Sequence, residues 1–141
     1  MWIFSRKGFF SVVEDAQDPS RLVVRARVAA DLDALRADVP DLSPTITTPA
    51  RDYPYRAFCS RDGMAAGLAK QVLEIDYANF KREVERVQGL PRERLYAQVW
   101  SVMSSAEARL GAPEVAPAWP PAELAPKAAT RKPARPRRAR R

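Results

Sequence analysis

At Gly111 the chain loses the means to build a core. Seven of its 13 prolines lie between Pro113 and Pro136, set among alanines and charged residues with few large apolar side chains. A stretch of that kind cannot bury enough apolar surface to offset the entropy of ordering it. The composition therefore predicts a compact domain over residues 1–111 and a disordered, Pro/Ala/Arg-rich basic tail over residues 112–141. The same boundary divides the charge. Residues 1–111 hold 16 basic and 15 acidic side chains, whereas residues 112–141 hold 8 and 2. The formal charge of +7 thus belongs mainly to the tail, and the body is close to neutral. A body of this length buries about two thirds of the surface its unfolded chain exposes, enough to fold without staples.

Within the body the apolar period changes in an informative order. Trp2 to Ser5 and Phe9 to Glu14 are β-rich runs separated by Arg6, Lys7 and Gly8, which predicts a hairpin. Leu22, Val24, Ala26 and Val28 alternate with Val23, Arg25 and Arg27, the pattern of a strand buried on one face. Ala29 to Val39 has helical spacing, with Leu32, Leu35 and Val39 on one side, and Pro40 ends it. Thr45 to Thr48 and Tyr55 to Cys59 suggest a second hairpin, with Tyr55, Ala57 and Cys59 opposite Arg56 and Phe58. Ser60 is placed to cap a helix whose stripe is Met64, Leu68, Val72 and Ile75. Asp76 is placed to cap the next, with Phe80, Val84 and Val87 following, and Gly89 closes it. Pro91 suits the first turn of a last helix with a stripe of Leu95, Val99, Val102, Met103, Ala106 and Leu110.

Strands followed by segregated helices predict an α+β fold: a mainly antiparallel sheet of about five strands with helices on one face. The third strand onward reads as strand, helix, strand, strand, helix. That is most of a split βαβ unit, with the N-terminal hairpin supplying the remaining strands, so a ferredoxin-like arrangement is the first expectation.

Several function classes are excluded or disfavoured. The sequence contains no histidine, which removes Ser-His-Asp and Cys-His constellations and any imidazole metal ligand or general base. The single cysteine, Cys59, forms no intramolecular disulfide and no two-cysteine metal motif, and reads as a small buried hydrophobe in a cytoplasmic protein. No apolar run reaches 18 residues, so no membrane helix is expected. Asp76 with Asn79 imitates metal-ligand spacing, but helix capping accounts for it. The acidic pairs Asp31 with Asp33 and Glu83 with Glu85 are spaced i, i+2, which points their members apart, and read as solvated-face residues. Met64, Trp100 and Met103 lie on or near core stripes. No metal, no cofactor and no catalytic residue is expected. An enzymatic reading would need a pocket joining two or more of Asp31, Asp52, Asp62, Tyr53 and Tyr77.

Binding surfaces are better represented. Arg131, Lys132, Arg135, Arg137, Arg138, Arg140 and Arg141 form a cationic run kept extended by Pro133 and Pro136, suited to phosphate contact without sequence readout. The alternative is a solubilising tail or compositional drift. On the body, Arg25 and Arg27 project from the face of the third strand opposite its apolar residues, and Arg56 joins them with Phe58 interleaved. Such a face stacks and neutralises a single strand, or is the solvated side of an antiparallel sheet. Arg51, Tyr53, Tyr55 and Arg56 gather around Pro54 in a residue mix common at interfaces.

The set Trp2-Ile3-Phe4, Gly8-Phe9-Phe10-Ser11-Val12-Val13, Asp52-Tyr53-Pro54-Tyr55-Arg56, Ile75-Asp76-Tyr77-Ala78-Asn79-Phe80-Lys81 and Val99-Trp100-Ser101-Val102-Met103, with Leu22-Val23-Val24-Arg25-Ala26-Arg27, resembles a family of small uncharacterised bacterial and phage proteins over residues 1–105. The resemblance implies a compact cytosolic body and carries no site residues with it. The expectation is a non-enzymatic binding module: a nucleic-acid-associated accessory protein that uses its basic arm on nucleic acid or another polyanion. The alternative is a protein-interaction or regulatory domain, of phage or mobile-element type, that docks on a host protein while its tail is incidental.

Overall fold

The computed structural model describes residues 1–111. The elements are β1 (Trp2–Ser5), β2 (Gly8–Glu14), β3 (Arg21–Ala26), α1 (Ala29–Arg36), β4 (Ile46–Thr47), β5 (Tyr55–Ser60), α2 (Arg61–Leu73), α3 (Phe80–Gln88), α4 (Leu90–Ser104) and α5 (Ala106–Leu110). The five strands form one sheet in the order β1-β2-β3-β5-β4 with every neighbouring pair antiparallel. Residues Met1 to Met103 make one compact unit, and Ser104 begins a second, of which α5 is the helical part described.

The α+β expectation is met. Because β5 lies between β3 and β4 and is antiparallel to both, β3 and β4 run parallel to each other, joined through α1. That is the split βαβ unit, and α2 follows β5 as the pattern requires. The outer place beside β3, which a later strand fills in a ferredoxin-like chain, is taken here by β2 from the N-terminal hairpin, with β1 added beyond it.

Pairing defines two faces. Ile3, Phe10, Val24 and Ala57 share the inner face, and Phe10, Val12, Val24, Ala26, Ala57 and Cys59 meet Leu32, Leu35, Val39, Leu42 and Met64 in the core. Trp2, Ser11, Arg25 and Arg56 lie in one row across the outer face, with Phe4 and Phe9 beside them. Helices α1 and α2 cover the inner face. The expectation that all helices do so is corrected by α4, which sets the Tyr96 ring 5.3 Å from Phe4, an outer-face residue. Tyr96 is an amphipathic side chain that finds its apolar partners in Phe4 and Phe80.

The hairpin turn is tied to the helices by charge. Lys7 bonds the buried Asp38, and Arg6 reaches Glu83 at 3.0 Å and the exposed Asp76 at 3.4 Å. Gly8 lets α1 approach β2, since a Cβ there would come within 2.7 Å of the Asp31 side chain. Ser60 caps α2 as expected, its Oγ accepting from the Gly63 amide at 2.9 Å. Helix α3 begins later than the sequence suggests. Its cap is Asn79, which accepts from the Arg82 amide at 3.1 Å, and Asp76 instead pairs with Arg6. At Gly89 the backbone adopts φ 84°, and its N–H closes α3 on the Glu85 carbonyl, so the chain turns directly into α4.

Candidate functional site

Alternation along β3 sends Arg25 and Arg27 to the outer face, and the turn after β4 delivers Tyr53 between them. The guanidinium carbons of Arg25 and Arg27 lie 5.0 Å and 4.8 Å from the Tyr53 ring centre. Tyr53 is only 6% exposed, so it is a buried filling between two cations and not a free stacking platform. Arg25 donates to Ser11 Oγ at 2.7 Å while its Nε is buried without a partner. Arg27 donates to Asp52 Oδ1 at 2.6 Å, both side chains more than half exposed. Arg56 stands opposite Arg25 in register, its Nε 3.4 Å from the Tyr53 carbonyl.

Four of the six expected body residues, Arg25, Arg27, Tyr53 and Arg56, therefore meet. Tyr55 does not belong with them. It lies on the inner face against the core, because its place in β5 alternates with that of Arg56. Arg51 is exposed in the turn between β4 and β5, its amide bonded to the Thr48 carbonyl. Arg131, Lys132, Arg135, Arg137, Arg138, Arg140 and Arg141 lie outside the described residues.

The rest of the outer face is aromatic. Phe4 stacks on Phe9 with ring centres 4.5 Å apart, Trp2 meets Phe9 edge-on at 5.8 Å, and Phe9 lies 6.2 Å from Tyr53. Helix α4 stands over this belt, and between the two lies an open cavity of about 720 Å³ lined mainly by Trp2, Phe9, Tyr53, Leu95, Tyr96 and Val99, with Arg27, Asp52 and Arg92 also on its walls. A second groove of about 510 Å³ runs along β1 from Trp2 to Arg6 and faces Leu68, Val72, Ile75, Tyr77 and Phe80.

Helix α4 is held by its first two turns. Arg92 grips Asp31 with both terminal nitrogens, at 2.6 Å and 3.1 Å, and Asp31 also accepts from the Phe9 amide at 3.1 Å. The Tyr96 hydroxyl is buried and meets no hydrogen-bond partner in good geometry. Burial pushes its pKa up to about 12, although Arg92 and Gln88 nearby pull the other way. Beyond Tyr96 the helix is open: Trp100, Val102 and Met103 are all exposed, and so is Leu95.

These placements correct several expectations. The α4 stripe starting at Leu95 is not core, since the helix is turned so that Tyr96 points inward. Likewise Val72 and Ile75 are exposed, and only Met64 and Leu68 of that stripe reach the core cluster. Trp100 and Met103 are surface residues. Asp31 and Glu83 are buried and ion-paired, not solvated, while their i+2 companions Asp33 and Glu85 are exposed. Cys59 is buried as expected, and burial raises its thiol pKa to about 11, with Asp41 adding to the effect. Trp2, Phe4, Phe9 and Tyr96 were absent from the expected surface; the alternation of β1 and β2 places Trp2, Phe4 and Phe9 on one face, but only the pairing to β3 identifies it as the arginine face.

Asp52 and Tyr53 do share the larger cavity, with Asp52 paired to Arg27. Among the described residues no group of three or more His, Cys, Asp or Glu side chains is placed to hold a metal ion, and no helix is long and apolar enough to cross a membrane. Comparison with family models, with curated proteins and with solved structures finds no match.

Proposed function

We propose that the chain is a non-enzymatic binding module that takes an extended segment of a partner protein as an added strand on β1. The observation that carries this reading is the outer edge of β1, which pairs with no strand among the described residues. Met1 and Val12 exchange both backbone hydrogen bonds, at 2.8 Å each. Antiparallel pairs alternate, so Trp2 opposite Ser11 and Phe4 opposite Phe9 do not bond across the ladder. Consistent with this phase, the Phe9 amide turns away from β1 and is taken by Asp31. The N–H and C=O groups of Trp2 and Phe4 therefore point to the outside of the sheet. They open on the 510 Å³ groove, whose far wall is the apolar end of α2 with Tyr77 and Phe80.

An exposed strand edge is a template for pairing, and natural edges are usually blunted by proline, lysine or a bulge. The sequence Trp2-Ile3-Phe4-Ser5 has none of these, and Trp2 is 68% exposed. The four residues offer roughly 13 Å of edge, enough for main-chain bonds to supply affinity and the apolar wall to select side chains. A random octapeptide display library panned against the full chain tests this. Enriched peptides with alternating apolar residues are expected to protect the Trp2 and Phe4 amides from hydrogen exchange. Trp2→Pro removes one outward donor without touching the β2 ladder and is expected to abolish binding. Peptides that bind yet leave both amides unprotected would overturn the reading.

A second reading rests on charge. Lys127 to Arg141 carries eight cations and no acid, which favours a nucleic-acid-associated role for that arm. The body would add little, because residues 1–111 hold 16 basic and 15 acidic side chains and are close to neutral. Oligonucleotide binding at low and moderate salt, compared between the native chain and one with Arg137, Arg138, Arg140 and Arg141 changed to glutamine, tests it. A salt slope that does not fall in the variant removes this reading.

A further inference from the structure

The cavity between the outer face and α4 has the size and lining of a small-molecule site. Its volume of about 720 Å³ lies within the range typical of such sites. Helix α4 is fixed above the sheet at two points, the Arg92 to Asp31 ion pair and the Tyr96 ring against Phe4. Leu95 and Val99 hang over the aromatic floor without filling the space, and Leu95 remains 52% exposed.

The polar groups on the cavity wall give the charge preference. Arg92 has its charge matched by the two oxygens of Asp31. Arg27 spends Nη2 on Asp52, a pair exposed on both sides and so easily exchanged. The wall is balanced in net charge, but Arg27 keeps N–H groups beyond the one it gives to Asp52, so an incoming acceptor such as a carboxylate or sulfonate finds a donor there. Aromatic rings and aliphatic side chains make the remainder of the wall.

We infer that this cavity binds a small apolar acid, an aryl or branched aliphatic body carrying one carboxylate or sulfonate, with the body against Trp2 and Phe9 beneath Leu95 and Val99 and the anionic group on Arg27. The site shares Trp2 and Phe4 with the groove along β1, but it needs no added strand there.

A matched pair of fluorescent probes tests it on the full chain: 1-anilinonaphthalene-8-sulfonate and the uncharged N-phenyl-1-naphthylamine, which share a ring system and differ in the sulfonate. Saturable one-to-one binding of both is expected. At low salt the sulfonate should bind up to about fivefold tighter, the scale of an exposed charge pair. Arg27→Met should erase that difference and leave the neutral probe bound. Leu95→Trp and Val99→Phe, which fill the cavity from α4 and leave the β1 edge open, should each weaken both probes at least about tenfold, equivalent to one factor of ten in affinity. Unsaturable binding, equal affinity for the two probes in the native chain, or affinities unchanged in both filled variants would overturn the assignment.

Discussion

Replacing Asp31 by alanine removes a group that joins β2, α1 and α4. Its carboxylate is 4% exposed and takes three hydrogen bonds, two from Arg92 and one from the Phe9 amide. The alanine variant leaves the Arg92 guanidinium, itself only 15% exposed, without its counter-charge. Breaking a buried pair from one side costs about 3 to 5 kcal/mol. The orphaned Phe9 amide adds roughly 1 to 3 kcal/mol where water cannot reach it. Partial relaxation of Arg92 toward solvent reduces the sum, and about 4 kcal/mol is expected. That is a large share of the roughly 5 to 15 kcal/mol that holds a domain of this size together. Asp31→Leu combined with Arg92→Met removes both charges and replaces them with apolar volume, so it should cost at least about 2 kcal/mol less than Asp31→Ala. Urea denaturation followed by circular dichroism measures both. A single variant that loses under about 1 kcal/mol would refute the reasoning, because the pair would then be solvent-relaxed. A double variant as unstable as the single would refute it too, since the cost would then lie in the Phe9 amide and not in the uncompensated charge.

Glu83 is held to a pKa of about 2, against an ordinary 4.5, chiefly by its bonds to Arg86 and then Arg6. A depressed carboxylate contributes stability above its unfolded pKa and loses it as pH falls toward the folded one, so the urea midpoint should drop between about pH 5 and pH 2.5, and less steeply in Glu83→Gln. Tyr96→Phe removes a buried hydroxyl that has no well-formed hydrogen bond, and is expected to leave the melting temperature unchanged or raise it; a fall of several degrees would show that the hydroxyl is satisfied after all. Cys59, buried and with its thiol raised to about 11, should react with a thiol-specific disulfide reagent only at the rate of unfolding, and prompt labelling of the native protein would contradict its place in the core.

The sheet was legible because its information is local. Period-two alternation in β2, β3 and β5 and the change to helical spacing after each crossover fix which side chains share a face, and a one-residue slip would expose Phe10, Val24 and Ala57 together. The order of strands followed from the split βαβ pattern for the same reason. The helices beyond α2 were less legible. In α4, Leu95, Val99 and Val102 make as regular a stripe as Tyr96 and its neighbours, and what selects Tyr96 is a ring on β1 and an aspartate on α1, both more than 60 residues away in sequence. The acids misread as solvated, Asp31 and Glu83, are buried by cations that lie 61 and 77 residues from them.

The same long-range pairing changes what the charges of the body mean. The sequence offers a basic sheet face, but folding pairs Arg27 with Asp52 and Arg21 with Asp15 and Asp18, joins Arg61 to Glu14, and stacks Arg25 and Arg27 on Tyr53. A polyanion approaching that face meets carboxylates as well as guanidinium groups, whereas the sequence from Lys127 to Arg141 holds no acid. The aromatic residues meet the opposite fate. Trp2 is left exposed at the edge of the sheet, and Leu95 stays half-exposed above Phe9, because the chain has spent Tyr96 on Phe4. Folding thus gives Arg21, Arg25 and Arg27 carboxylate or ring partners and leaves apolar surface open at Trp2 and Leu95, which is the ground for proposing a strand at β1 and a small acid under α4.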